Sequence, residues 1–167
     1  LKVDGGRWQV RVQAEDFDLS TEVAALRAGD PGIGAVASFV GTVRDQQSGE
    51  ALQALEIEHY PGMTQQAIEA MLAEARGRFE LRGACIVHRV GRLAACEQIV
   101  LVATVSAHRE QALSACAFLM DWLKTGAPFW KKAVTASGSH WVEAKASDDA
   151  AAQRWGVDGG NSRGGPA

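Results

Sequence analysis

A single domain of mixed helices and strands is what this sequence predicts, and three observations carry that reading. Segments that alternate polar and apolar residues, or run apolar throughout, interleave with segments whose apolar residues recur at helical spacing. The 167 residues, 47% of them hydrophobic, suffice for one sizeable core and fall short of two full domains. No internal repeat divides the chain. The expected organisation is one domain over residues 1–150 and a C-terminal tail over residues 151–167.

Trp8-Gln-Val-Arg-Val-Gln13 alternates, as a half-buried strand opening a sheet does. Ser20 is placed to cap a short helix with Glu22 in its first turn, and Gly29-Asp-Pro-Gly32 stops it. Residues 34–43 form a nearly continuous run of small and β-branched side chains, the pattern of a strand buried on both faces. Arg44 stands where that strand leaves the core for a polar, mobile loop over residues 44–50. Residues 52–59 alternate again, Tyr60-Pro-Gly-Met63 turns the chain, and Thr64 caps a longer helix with the stripe Ile68, Met71, Leu72, Ala75 and Phe79.

Residues 84–90 and 98–105 are two further strands, joined by residues 91–97. Ser106 is the expected cap of a helix that has His108 and Arg109 in its first turn and Leu113, Ala117 and Met120 at helical spacing. That helix stops near residues 125–127 because Pro128 lacks the N–H that would continue it. Residues 134–145 read as a hairpin turning at Ser137-Gly-Ser139. The tail, alanine-rich from Ala150 and glycine-rich from Gly156, is expected to be disordered in isolation at its end.

A net charge of −3 and a pI of about 5.8 exclude a general nucleic-acid surface, although local cations can still hold a small anion. No apolar run approaches the roughly 20 residues of a membrane span. The first residues carry charges and glycines where a secretory signal needs an apolar stretch, so the chain reads as cytoplasmic. Cys85, Cys96 and Cys116 are odd in number, with no C-x-x-C pair, and suggest neither a disulfide framework nor a zinc knuckle. His59, His88, His108 and His140 lack the spacing of a helical metal motif. No metal or other cofactor is expected.

The candidate chemistry gathers at the proline break. Lys124 falls in the last turn of the helix, and Phe129 and Trp130 place two large rings between it and Lys131 and Lys132. Rings beside ammonium groups make a partly dry anion pocket, which also eases deprotonation of a lysine. The alternative is that Lys124 complements the helix dipole while Lys131 and Lys132 are solvated. Arg44 can present its planar fork to a phosphate or carboxylate, or pair with Asp45 or another surface carboxylate. His108 and Arg109 sit where helix N–H groups and the positive end of the dipole converge, and cations there call for an anionic partner. His59, before a turn, reads as a local hydrogen-bonding group.

Five motifs are specific in combination and in order: Phe39-Val-Gly-Thr-Val-Arg44-Asp, Leu55-Glu-Ile-Glu-His-Tyr-Pro-Gly-Met63, Ile86-Val-His-Arg-Val-Gly91, Ser106-Ala-His-Arg109 and Leu123-Lys-Thr-Gly-Ala-Pro-Phe-Trp-Lys131. From about residue 10 to residue 155 the chain resembles the MoaE family, the large, catalytic subunits of molybdopterin synthase. The resemblance implies an α+β class, with an α/β hammerhead-type fold and an additional antiparallel β subdomain, residues 1–150 forming one MoaE-like catalytic domain. It implies a homodimer at the centre of a heterotetramer, with a small ubiquitin-like, MoaD-like sulfur carrier at each end.

In such enzymes the carrier's C-terminal Gly-Gly thiocarboxylate enters the large subunit, and two sulfurs pass to cyclic pyranopterin monophosphate to form the molybdopterin dithiolene. The metal is added later by other proteins. By motif position the resemblance implies catalytic roles for Lys124 and Lys131, substrate binding by Arg44, His108, Arg109 and Lys145, and a carrier-tail slot at Phe39, Met120, Pro128 and Phe129. It departs from the family at Gly126, where a charged or longer side chain is familiar, and at Lys145, where arginine is. A non-catalytic phosphate-ligand or partner-binding module using Arg44, His108 and Arg109 is the alternative, and a purely structural homodimer leaves the helix-start cations unexplained. The two lysines and the Pro-Phe-Trp wedge favour the enzyme.

Overall fold

The computed structural model describes residues 6–47, 49–143 and 146–157. Two sheets and four helices build them. The first sheet has the order β1 (Trp8–Gln13), β5 (Leu81–Arg89), β7 (Gln98–Ser106), β2 (Ala35–Thr42), parallel between β1 and β5 and antiparallel elsewhere. β5 and β7 hold the least interrupted apolar runs and take the centre, buried from Gly83 and from Ile99 onward.

β2 corrects the expectation of a strand buried on both faces. It is an edge strand, and Ala37 alone of its eight residues is buried. Small side chains suit close neighbours on either face, but composition does not count how many neighbours a strand has.

The second sheet is antiparallel, with β3 (Gln46–Gln47), β4 (Glu50–His59), β8 (Phe129–Thr135) and β9 (Gly138–Trp141) in that order and β6 (Gly91–Leu93) also on β4. β3 and β6 occupy segments expected as a loop and a connection. Both are too short to show a period and owe their geometry to pairing with β4. The β8–β9 hairpin forms, turning at Ala136-Ser137, one residue before the expected site.

Helix α1 (Leu19–Arg27) lies on one face of the first sheet, where Phe17 and Leu26 meet Cys85, Val87, Leu101, Ala103 and Val105. Helices α2 (Met63–Arg78) and α3 (Arg109–Gly126) cover the other face and carry the main core: Ile68, Met71, Phe118 and Leu119 against Ile86, Val102, and Leu55 and Ile57 of β4. Each large apolar side chain buried there stabilises by about 1.5–3 kcal/mol. The alanine-rich stretch forms α4 (Ala146–Gln153), which the sequence pattern did not give as a helix. It is docked on α3 by Asp121, whose Oδ2 accepts from Arg154 Nη2 and Trp155 Nε1, each at 2.7 Å, while the Trp155 ring meets Phe79 and Phe118 edge-on. Residues 158–167, the end of the expected tail, lie outside the described residues.

All three expected caps are displaced. Asp18, not Ser20, caps α1 by accepting from the Thr21 N–H at 2.7 Å. α2 starts after Gly62, whose φ of 82° suits only glycine well, so Thr64 lies inside the first turn. The buried Thr64 hydroxyl accepts from Tyr60 N–H at 3.1 Å and donates to the Pro128 carbonyl at 3.0 Å. Ser106 belongs to β7 and gives its hydroxyl to the Glu80 carbonyl at 2.6 Å, leaving His108 as the residue preceding α3. For Thr64 and Ser106 a tertiary contact, invisible in the local motif, takes the hydroxyl, whereas for α1 a second local candidate, Asp18, wins over Ser20. α3 does stop at Gly126, two residues before Pro128.

The Thr64 hydroxyl joins the start of α2 to the start of β8, so Thr64→Val should lower the unfolding free energy by about 1–3 kcal/mol by leaving both partners unsatisfied. Urea titration of the purified variant measures this, and unchanged stability would show that the link is dispensable.

Candidate active site

β8 explains why one of two adjacent lysines is special. Alternation puts Phe129, Lys131 and Ala133 on one face and Trp130, Lys132 and Val134 on the other. The first set lies opposite His59, Ile57 and Leu55 of β4, and Leu55 and Ile57 belong to the main core. Lys131 is therefore aimed inward. Lys132 faces Glu56 across the sheet and holds its ammonium 4.8 Å from the Trp141 ring.

Lys131 keeps partial solvent access, yet burial holds its pKa below the ordinary lysine value. The Lys124 ammonium acts in the same direction, and Asp148 of α4 opposes both. Lys124 is exposed in the last turn of α3. The fold thus brings the two sequence-predicted lysines into one electrostatic field, one exposed and one half-buried.

Beside them stands a buried residue that the sequence motifs contained but did not single out for function. His88 of β5 stacks flat on Phe129, centroids 3.8 Å apart, with its Nδ1 2.8 Å from the Arg89 carbonyl oxygen. Desolvation lowers its pKa to about 3, helped by Lys131 and, to a lesser degree, His59, while the Arg89 carbonyl opposes the shift. The available signal was a histidine on the inward phase of a strand, in register with Ala84 and Ile86.

The tail-slot candidates are distributed around this point. Pro128 is buried and tied to Thr64, Phe129 donates its N–H to the Ala127 carbonyl at 2.8 Å in a tight turn, and Met120 is buried on α3. Phe39 is 41% exposed on β2, its ring folded over Gly41. Arg44 is exposed just past β2, and the pairing with Asp45 does not form among the described residues. Lys145 lies outside the described residues.

His108 and Arg109 are exposed at the opposite end of α3 from the lysines. Fifteen helical steps separate Arg109 from Lys124, about 22 Å, so one chain does not bring the expected phosphate pair to the lysine pocket. The pair instead borders a cleft with Gly34, Ala107 and Glu110. A Cβ at Gly34 would stand 2.3 Å from the Ala107 carbonyl oxygen, so glycine permits this close approach of the segment before β2 to the β7–α3 connection. Among the described residues no three His, Cys, Asp or Glu side chains gather to hold a metal, and no helix is long and apolar enough to cross a membrane.

The family model described as MoaE protein matches residues 12–126, which include β2, the Arg44 exit, the His108-Arg109 helix start and Lys124. The chain belongs to the MoaE family. It is 54% identical over 148 residues to a Ralstonia nicotianae protein named molybdopterin synthase catalytic subunit, covering 89% of this chain and 84% of that one. A Pseudomonas aeruginosa protein of the same name is 53% identical over 146 residues, covering 87% and 97%. Among solved structures, the molybdopterin biosynthesis MoaE protein of Burkholderia ambifaria matches with a TM-score of 0.78 and 56% identity, over 90% of this chain and 99% of that one. A molybdopterin synthase structure from Staphylococcus aureus matches with a TM-score of 0.73 and 28% identity, over 78% and 94%. The expected α+β architecture of this MoaE family member stands with these likenesses.

An ammonium held on an inward strand face should cost stability. Lys131→Met is expected to raise the unfolding free energy at pH 7 by on the order of 1 kcal/mol. Because the folded pKa is lowered, the unfolded chain binds more protons between that value and about 10.5, so wild-type stability rises with pH there and the variant's advantage shrinks. Thermal melts of both proteins across pH 7–10.5 test this; a gap that widens with pH would overturn it.

Proposed function

We infer that the chain acts as the catalytic subunit of molybdopterin synthase, a sulfurtransferase that takes sulfur from the thiocarboxylated C-terminus of a small ubiquitin-like carrier and delivers it to cyclic pyranopterin monophosphate. The observation that carries the residue assignment is the paired field of exposed Lys124 and inward Lys131 beside the Pro128-Phe129 turn. A thiocarboxylate is an anion, and two ammonium groups at a partly dry pocket can hold it. Once the sulfur is bonded to the pterin side chain, water adds to the acyl carbon and places charge on oxygen, where the same ammonium groups stabilise it; collapse breaks the carbon–sulfur bond, leaving sulfur on the pterin and a carboxylate on the carrier. Lys131, whose pKa burial holds below the ordinary lysine value, suits proton exchange as sulfur adds to the pterin side chain. A binding module without turnover gives no reason to turn a lysine inward. A cytoplasmic location accords with this role.

The carrier tail enters beside Phe39, Met120, Pro128 and Phe129, and the substrate phosphate sits at His108 and Arg109 with Arg44 and Lys145. Separation of His108 and Arg109 from the lysines by the length of α3 supports a site shared between two copies. The outer edge of β2 pairs with no strand among the described residues, and its eight residues contain no charge and no proline to blunt it. His108 and Arg109 lie near its start, and Arg44 just past its end. Antiparallel pairing of two such edges about a two-fold axis would set Arg109 of one copy beside Arg44 of the other. The homodimer and its two carriers then form the heterotetramer.

Lys124→Ala and Lys131→Ala should each nearly abolish dithiolene formation from thiocarboxylated carrier and pyranopterin precursor while the melting transition is retained. Full activity in either folded variant would remove that lysine from catalysis.

Arg109→Ala should weaken precursor binding by roughly 1.5–3 kcal/mol and carrier binding less, with the difference shrinking as salt rises. Mixing Arg44→Ala and Arg109→Ala chains and letting subunits exchange should restore about a quarter of the sites, because half of each mixed dimer's sites are intact. Absence of any complementation would place both arginines within one chain's site.

A further inference from the structure

His88 is 5% exposed and lies on the face of β5 that meets the main core. Its Nδ1 is 2.8 Å from the Arg89 carbonyl oxygen, and a carbonyl only accepts, so the ring proton sits on Nδ1 and Nε2 carries none. The imidazole plane lies 16° from that of Phe129 at 3.8 Å between centroids. The other ring pairs among the described residues meet at 59–83°, so this flat stack stands apart from the general packing.

A hydrogen bond that fixes an imidazole plane also fixes whatever ring is stacked on it. Phe129 follows Pro128, whose carbonyl Thr64 holds, and precedes Lys131 by two residues on the same face. Phe129 is thus pinned by its backbone on one side and by its ring on the other. The titratable groups that act on His88 are Lys131 and His59, and burial keeps His88 uncharged beside them, so the platform adds no further cation to the pocket.

We propose that His88 is a positioning residue for the carrier tail, its locked ring setting the plane of Phe129 and with it the width of the slot that receives Gly-Gly. This rests on the reading of Phe129 as a wall of that slot. The test compares the full-length protein with His88→Leu, which fills similar space without a flat face, and His88→Phe, which restores one.

Each is titrated with a purified ubiquitin-like sulfur carrier ending in Gly-Gly and with the same carrier lacking both glycines, and each is melted in parallel. The wild type should prefer the intact carrier, His88→Leu should lose about tenfold of that preference, and His88→Phe should keep most of it, whatever either does to the melting temperature. A preference retained by the leucine variant, or lost equally by both variants, overturns the role of His88 and leaves the slot reading intact. A wild type indifferent to the two glycines overturns the slot reading and the role of His88 together. If His88→Leu does not fold, loss of preference in folded His88→Phe overturns the proposal, and retention supports it.

Discussion

The site depends on an ammonium group placed on the inward face of a strand. An unpaired charge withdrawn from water is costly, and a chain under selection for stability alone would put Lys131 where Lys132 is, facing Glu56 and a tryptophan ring. The fold manages the cost in three ways. Lys131 keeps a path to solvent, Asp148 supplies an opposing charge from α4, and the aromatic neighbour of Lys131 on the same strand face, Phe129, is stacked on an imidazole that stays neutral. α4 is in turn held by Asp121, one helical turn before Lys124 on α3. The counter-charge of one lysine is thereby anchored to the helix that carries the other.

Helix α3 also acts as a ruler. It fixes two cationic ends about 22 Å apart, with Lys124 at its carboxyl end, where the dipole favours a cation, and His108 and Arg109 at its amino end, where the dipole does not. Cations at that second end call for an anionic partner, and the length of α3 keeps them away from the lysines of the same chain. The outer β2 edge, unpaired among the described residues, runs between the arginine exit and the cleft at the start of α3. An acidic net charge is compatible with local cations, because Arg44 stands past β2, Arg109 and Lys124 at opposite ends of α3 and Lys131 on β8, rather than massed on one surface.

Much of this was legible in sequence, for identifiable reasons. β5, β7, α2 and α3 follow from apolar period and length, and the end of α3 follows from Pro128, because these are local physical constraints. β2 was misread as central and β3 and β6 were missed because strand neighbours are set by distant residues; Thr64 and Ser106 were misplaced as caps because distant carbonyls take their hydroxyls, and Ser20 because Asp18, two residues earlier, competes locally. Lys124 and Lys131 were visible as a pair around a helix break, but their separation into an exposed and a half-buried partner needed the register of β8 on β4. His88 was quoted within a motif and given no role, since a histidine in an apolar strand carries no sign in sequence of what its ring will face.

The departure at Gly126 now has a physical meaning. A Cβ there would stand 2.6 Å from two atoms of the Trp122 ring and 2.9 Å from the Met71 methyl, so no larger residue fits unless Trp122 moves. Trp122 is held edge-on to Phe118, which also meets Trp155 beside α4. Size at position 126 is therefore coupled, through Trp122 and Phe118, to the packing of the helix that brings Asp148 toward Lys131. A longer side chain at this position would project beside the exposed end of α3; here that space is taken by an indole instead. In this chain the end of α3 is closed by packing against Trp122 and Met71, and Lys124 and Asp148 are the charges that act on Lys131 there.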